Sequence, residues 1–265
     1  MPEGDTIFRA ATQLRKALVG ARVTQFQSDR LPGPLPVGER IEAVEARGKN
    51  LIVRFEKGRA LRTHMMMSGS WHIYRQGEKW QRPAWQARVT VHADNGLLAV
   101  CFNAPVVEWL REESLARLGP DATTDGFDKG EALRRLREMP DRSLGEALLT
   151  QSALAGVGNV IKCEALFRCR ADPFARVAEV PEEKLRAVVD NSHRLLVKNR
   201  GGGLRTSRDS LDGGRLWVYG RSGKPCLVCG TTVKMRRQGP AGRSTYFCPA
   251  CQCGTTSLGP APQTG

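Results

Sequence analysis

No stretch of the 265-residue chain approaches the roughly 18 consecutive apolar residues of a membrane-spanning helix, which excludes a helical integral membrane protein. The N-terminus, Met1-Pro2-Glu3-Gly4-Asp5-Thr6, is acidic and lacks the apolar core of a secretory leader, so the cytoplasm is the expected compartment. There, eight cysteines do not make a disulfide framework and are read as metal ligands or thiols. Acidic residues are absent from Gly213 to Gly265, where seven basic ones stand: Arg215, Arg221, Lys224, Lys234, Arg236, Arg237 and Arg243. This last fifth of the chain holds half of the net charge of +14. Such an asymmetry fits a nucleic acid, whose phosphates release counterions on binding. A membrane surface fits less well, because no basic amphipathic helix accompanies the charge.

What is present is globular material, 40% hydrophobic, enough for one large domain or two modest ones. Ile7, Ala10, Ala11, Leu14 and Leu18 share one face and predict a helix over 5–18. From about 22 to 110 the pattern is strands. Leu51 to Phe55 is apolar and β-branched, Ala87 to Ala93 alternates, Asp94-Asn95-Gly96 is a hairpin turn into Leu97 to Phe102, and Glu56-Lys57-Gly58 turns another hairpin. This predicts an antiparallel β-sandwich or barrel preceded by one helix. A polar stretch over 121–130 reads as a linker. Helices follow at Glu131 to Glu138 and Ser143 to Leu149, the second with Ser143 and Glu146 as a capping box. Another starts at about Val160, and a longer one opens at Pro181-Glu182-Glu183 and stops before Gly201-Gly202-Gly203.

Cys226-Leu227-Val228-Cys229 and Cys248-Pro249-Ala250-Cys251 are two knuckles eighteen residues apart. Each presents two thiolates to one ion, and four sulfurs suit a closed, structural zinc. Asn159 follows a glycine-rich turn at a helix entrance, where it is either an N-cap or part of a phosphate site. Lys49, in Arg47-Gly48-Lys49-Asn50 between two strands, and Arg243, near the turn of the zinc hairpin, are either solvated basic residues or phosphate clamps. Met65-Met66-Met67 is either core filler or, at a loop tip, a wedge for a base stack. Pro2 permits removal of Met1, a common event without functional meaning. Chemically, the processed chain would carry a secondary amine that titrates near neutrality. Its attack on an aldehyde carbon gives an iminium with no proton to lose, an electron sink for elimination. Glu3 beside it can move protons.

Taken together, six motifs resemble the bacterial formamidopyrimidine-DNA glycosylase/endonuclease VIII family. They are Met-Pro-Glu-Gly at 1–4, Arg47-Gly48-Lys49, Thr63-His64-Met65-Met66-Met67-Ser68-Gly69, Gln151 through Asn159, Tyr219-Gly220-Arg221 leading to Cys226, and Arg243 through Gln252. The resemblance implies a multidomain α+β protein. Residues 1–120 would form an N-terminal helix plus antiparallel β-sandwich carrying the catalytic groups, and 121–130 a linker. Residues 131–212 would form a helix-two-turn-helix DNA-binding domain, 213–253 a four-cysteine zinc finger and 254–265 a disordered tail. It implies double-stranded DNA with damaged bases or abasic sites as partner, held in a cleft between two lobes by a monomer. Pro2 is then the Schiff-base nucleophile, Glu3 the acid/base, Lys49 a phosphate-contacting catalytic lysine, and Asn159 with Arg243 the pair that holds the phosphates flanking a flipped nucleotide. His64 and Met67 are further DNA contacts, with Met67 filling the vacated space. Cys226, Cys229, Cys248 and Cys251 hold one structural zinc ion. The implied reaction is base flipping, glycosidic cleavage and β,δ-elimination.

The sequence departs from the family pattern in three places. Asp5-Thr6 replaces the usual Pro-Glu. Phe102-Asn103-Ala104-Pro105-Val106-Val107 stands where the formamidopyrimidine branch carries the Arg-Arg-Phe loop whose Arg and Phe enter the duplex, and that pair is absent. Met66-Met67-Ser68 stands where endonuclease VIII carries Gln-Leu-Tyr. The reading favours the endonuclease VIII side and oxidised pyrimidines. Its rivals are an oxidised-purine glycosylase of the same family and a non-catalytic zinc-dependent DNA-binding protein. A third, an RNA-binding protein, leaves the N-terminal motif unexplained.

Overall fold

The computed structural model describes residues 2–209 and 214–253; the tail expected to be disordered, 254–265, lies outside them. The chain divides into two compact units, one through Arg117 and one from Leu118.

The first unit opens with helix α1 (Gly4–Leu18), whose Ile7, Ala11, Leu14 and Leu18 are buried as their spacing requires. Eight antiparallel strands follow: β1 (Val23–Gln27), β2 (Ile41–Arg47), β3 (Asn50–Phe55), β4 (Ala60–His64), β5 (Ser70–Arg75), β6 (Ala87–Ala93), β7 (Leu97–Phe102) and β8 (Val106–Trp109). They form two four-stranded sheets, ordered β1-β6-β7-β5 and β2-β3-β4-β8. Val23, Val91, Ala99 and Cys101 from one sheet share a core with Val44, Leu51, Val53 and Leu61 from the other, together with α1. The short helix α2 (Glu112–Ala116) closes the unit.

Direction along the sandwich matters for the site. The Arg15 guanidinium donates to the Val44 carbonyl at 3.0 and 2.7 Å, and the Gly20 amide donates to the Ile41 carbonyl at 2.9 Å, so α1 runs antiparallel to β2. From Arg15 back to Gly4 the helix rises about 16 Å, whereas β2 needs only about 10 Å from Val44 to Arg47. The N-terminus of α1 therefore reaches the end of the sandwich that carries the Gly48-Lys49 turn.

In the second unit, α3 (Lys129–Arg137), α4 (Leu144–Ala147), α5 (Asn159–Arg168) and α6 (Glu182–Lys198) surround a core containing Leu133, Leu136, Leu144, Leu148, Ile161, Leu166, Leu185 and Val189. Strands β9 (Lys234–Gln238) and β10 (Arg243–Phe247) and the short α7 (Pro249–Gln252) form the C-terminal hairpin region, which packs on Cys163 and Phe167 of α5.

Two local expectations are corrected. Residues 121–130 are not a solvated tether: Ala122 and Phe127 belong to the second unit's core, and Asp121 bridges to Ala155. The capping box at α4 does not form. Instead the Ser143 hydroxyl donates to the Glu146 carboxylate and accepts from the Gln238 side-chain amide at 2.8 Å. The hydroxyl is thus shared between a first-turn carboxylate and a tertiary donor, and it makes no bond to a backbone amide of the helix.

Candidate active site and metal centre

Register places a set of the residues singled out above at one end of the sandwich. Asn50, His64 and Val106 lie in one row across the second sheet, and Ser70, Phe102 and Ala87 in one row across the first. The connections 48–49, 65–69 and 103–105 all leave from these rows, beside the N-terminus of α1. Pro2 precedes that helix and is partly exposed, while Glu3 occupies its N-cap position and is fully buried. The Glu3 carbonyl accepts from the Thr6 and Ile7 amides at 2.9 and 3.0 Å; its carboxylate takes no part in capping. Asp5, in the first turn, accepts from its neighbour Thr6 at 2.7 Å and adds negative charge at the positive end of the helix.

Lys49 is presented by a two-residue hairpin between β2 and β3. Arg47 pairs with Asn50, and Gly48 at φ +57° supplies the left-handed conformation that a tight turn needs at its first central position. Asn50 braces the turn by donating to the Arg47 carbonyl at 3.0 Å, and Arg62 holds Asn50 in turn at 2.9 Å.

The 65–69 loop splits the three methionines. Met65 is buried, and Met67 at the tip is 67% exposed. The loop closes through the Gly69 amide on the Met65 carbonyl at 2.8 Å. A Cβ at Gly69 would lie 2.7 Å from the Met65 Cα, so only glycine fits. Met66 adopts φ +46°, and its amide donates to His64 Nδ1 at 3.2 Å, which requires that nitrogen unprotonated. Burial, then the charges of Lys49 and Arg62, push the His64 imidazole down from its ordinary value to about 4. The unfolded chain therefore takes up this proton first as pH falls, and the stability that neutral His64 supports is lost between about pH 6.5 and 4. We expect His64→Gln to flatten the fall in stability across that window by about 2 kcal/mol, measured as urea midpoint against pH. An unaltered slope would show that the histidine is not neutral in the loop.

In the second unit, Gln151 shapes the turn before α5. Its side-chain amide donates to the Leu149 and Val157 carbonyls at 2.9 and 3.0 Å, and its oxygen accepts from the Gly156 amide at 3.2 Å. Gly158 takes the N-cap position, so Asn159 is the first residue of the helix and does not cap it. The buried Asn159 amide instead donates to the Ser244 carbonyl at 2.7 Å, next to Arg243, which is exposed at the start of β10. The structure thus ties Asn159 to the strand that begins at Arg243.

One turn along α5, a residue that the sequence did not single out reinforces this tie. Lys162 is fully buried and donates to the Thr245 hydroxyl at 2.8 Å. That hydroxyl donates to Gln238 Oε1 at 2.7 Å, and Gln238 Nε2 reaches Ser143 and the Pro173 carbonyl, both at 2.8 Å. A Lys at a helix position normally reads as solvent-facing, and only the fold reveals it as the link between helix and hairpin.

The four knuckle cysteines converge, with their sulfurs all within 4.8 Å of one another. Separations of 3.9 Å (Cys226–Cys251), 3.5 Å (Cys229–Cys248) and 3.4 Å (Cys229–Cys251) approach the roughly 3.8 Å edge of a tetrahedron with about 2.3 Å metal–sulfur bonds. The Val228 amide points at the Cys226 sulfur at 3.5 Å. The residues fit a closed tetrahedral ion, and Cys253 is not part of the cluster.

Three family models match the chain in order: the formamidopyrimidine-DNA glycosylase N-terminal domain over 1–104, the H2TH domain of the same proteins over 118–208, and the zinc finger found in FPG and IleRS over 223–252. A probable endonuclease 8 2 of Streptomyces coelicolor is 39% identical over 274 residues, covering 100% of this chain and 97% of that protein. A DNA-(apurinic or apyrimidinic site) lyase Nei2 of Mycolicibacterium smegmatis is 36% identical, covering 95% and 99%. The crystal structure of MutM (Fpg) from Thermus thermophilus superposes with a TM-score of 0.77 at 32% identity, covering 95% and 99%. A zinc-finger protein with an H2TH domain behind an N-terminal β-sandwich is thereby defined, and the chain belongs to the formamidopyrimidine-DNA glycosylase/endonuclease VIII family of DNA repair glycosylases. Within it, relatives named endonuclease 8 or Nei2 share 34–39% identity and relatives named formamidopyrimidine-DNA glycosylase 31–32%, which puts the chain on the endonuclease VIII side.

Proposed function

We propose that this chain is a bifunctional DNA glycosylase and AP lyase, a monomer that removes oxidised pyrimidines from double-stranded DNA. The observation that carries the reading is the position of Pro2 and buried Glu3 at the end of the sandwich that also presents Lys49, His64 and the Met67 loop. The crossing of Asn159 with the Arg243 strand in the second unit supports a phosphate clamp. A helix entrance adds its outward amides and positive partial charge.

In the proposed reaction the target nucleotide leaves the stack, and Met67 occupies the gap. The Pro2 nitrogen, freed by removal of Met1, attacks C1′ of the sugar; the glycosidic bond breaks and the base departs with a proton. Ring opening leaves a C1′=N iminium on Pro2, with Glu3 supplying a proton to the ring oxygen. Loss of a C2′ proton into that electron sink expels the 3′-phosphate, and a second elimination expels the 5′-phosphate. Water then hydrolyses the iminium, releasing the sugar remnant and restoring the amine. Lys49, Asn159 and Arg243 hold the flanking phosphates throughout. We infer that Cys226, Cys229, Cys248 and Cys251 bind one zinc ion, whose part is to fold the hairpin that carries Arg243. A closed four-thiolate shell offers it no open position for substrate.

Borohydride trapping on duplex DNA bearing an abasic site tests the proposal. We expect a covalent adduct mapping to Pro2. No adduct from a chain verified to begin at Pro2, with DNA binding intact, would move the assignment to a non-catalytic lesion-binding protein. Cleavage rates on thymine glycol and 8-oxoguanine duplexes then separate pyrimidine from purine preference.

A further inference from the structure

One loop of the first unit carries two tryptophans that the fold treats in opposite ways. Trp80 stacks on Tyr74 and meets the Phe102 edge, with ring centroids 6.2 and 5.7 Å away. The Gln81 amide donates to the Tyr74 hydroxyl at 3.1 Å. Five residues after Trp80, Trp85 is 72% exposed. Its backbone is nevertheless held: the Gln86 amide donates to the Pro83 carbonyl at 3.0 Å, and the Arg88 guanidinium donates to the Trp85 carbonyl at 3.0 Å. A large apolar ring held in solvent on a braced backbone gains hydrophobic free energy if a flat partner covers it. Residues 79–88 include Lys79, Arg82 and Arg88 and no acidic residue, so the surface around the ring suits a polyanion better than an apolar protein face.

The loop also lies at the end of the sandwich already described. The Asn103 amide donates to the Gln86 carbonyl and the Asn103 side chain to Gln86 Oε1, both at 2.8 Å. The Asn103 carbonyl accepts from the Ser68 hydroxyl at 3.3 Å, next to Met67. Asn103, at φ +50°, therefore stitches the Trp85 loop to the Met67 loop. Ser70 and Ala87, where β5 and β6 begin, flank Phe102 on β7. The two loops thus rise from points about 10 Å apart, two strand spacings, which is roughly three base steps of 3.4 Å.

We propose that Trp85 is a nucleobase-stacking platform, covering a base of the bound duplex a few steps from the one Met67 approaches, while Arg82 and Arg88 meet the adjoining phosphates. The proposal rests on the reading of this end of the sandwich as the DNA-binding face. It gives the chain an aromatic contact from the 84–86 loop, beside a 103–105 turn that carries no aromatic or basic side chain. An indole face stacks on any base, so the contribution is to affinity and to holding the distorted duplex, with little dependence on sequence.

The test compares full-length wild type, Trp85→Ala and Trp85→Phe on a duplex with a stable abasic-site analogue and 2-aminopurine placed in turn opposite and beside it. We expect Trp85→Ala to weaken binding about tenfold and to abolish a 2-aminopurine quench seen with wild type, and Trp85→Phe to restore most of both. The slope of log affinity against log salt and the thermal midpoint should stay at wild-type values, because the change removes no charge and no buried contact. Unchanged affinity with an unchanged fluorescence response overturns the platform. So does a loss that comes with a lower thermal midpoint and is not rescued by Phe. If wild type shows the Trp85-dependent quench but no borohydride adduct, the lyase reading falls and the platform stands. If an adduct forms while binding is indifferent to Trp85, the platform falls and the lyase reading stands.

Discussion

A chain that keeps Met1 is expected to give no borohydride adduct on abasic-site DNA, while binding that DNA within about threefold of the processed chain. With Met1 in place the Pro2 nitrogen is an amide, its lone pair delocalised into the carbonyl and unable to attack C1′. Gly in place of Pro2 leaves a primary amine, whose imine can lose its proton and with it the electron-sink character, so a weak residual adduct is expected there. Glu3→Gln separates the second role. Glu3 is fully buried at the α1 N-cap and does not cap with its side chain, so the near-isosteric amide keeps the helix start and takes away the proton transfer. Single-turnover cleavage should fall by about 10²–10⁴ with unchanged DNA affinity. Full lyase activity in a protein with a verified blocked N-terminus would sink the assignment of Pro2, whatever the behaviour of Glu3.

The parts of this site that were legible in the sequence are those fixed by local chemistry. The α1 periodicity, the hairpin at Asp94-Asn95-Gly96 and the paired knuckles depend on neighbours within a few residues, and the structure carries all three. What escaped is whatever a distant partner decides. Ser143 and Glu146 have the spacing of a capping box, but Gln238, 95 residues away, takes up the Ser143 hydroxyl. Gly158 displaces Asn159 from the N-cap position, and the asparagine amide donates to a carbonyl of the strand beside it. Lys162, Glu164 and Arg168 are charged residue types that usually face solvent, yet every residue of α5 is buried. The Glu164 carboxylate accepts the Trp217, Val218 and Tyr219 amides at 2.8, 3.0 and 2.8 Å, a cradle that periodicity has no means of announcing. Residues 121–130 read as a linker because their composition is polar, although Asp121 uses that polarity to fold a turn on Thr123, accepting its amide at 2.9 Å. Trp85 gave no signal either, since one tryptophan in a short loop is as often buried as not; its exposure beside a packed Trp80 is visible only in three dimensions.

Removing the metal should disable DNA binding without unfolding the first unit. Charge is the first reason: without an ion, thiolates whose sulfurs lie within 4.8 Å of one another repel, and they must protonate or separate. Cys248 and Cys251 follow directly on β10, the strand that begins at Arg243 and hydrogen-bonds Asn159 through Ser244. Loosening the knuckles therefore frees the hairpin at the base while the tip loses its register. The Lys162–Thr245–Gln238 chain resists this, because separating it breaks the buried contact between the Lys162 ammonium and the Thr245 hydroxyl, so the apo hairpin is displaced more than it is melted. We expect one zinc per chain by elemental analysis, and chelation to weaken binding to abasic-site duplex by roughly a hundredfold. The salt slope should fall by about one as the Arg243 phosphate contact is lost. Cys248→Ser should reproduce the loss, and readded zinc should restore the chelated wild type but not the variant. Amide hydrogen-exchange protection of β2, β3, β6 and β7 in the first unit should stay as in the holoprotein. Unchanged affinity after verified metal loss would mean that α5 and the buried polar chain alone position Arg243, and that the ion stabilises the C-terminal segment without serving the DNA contact.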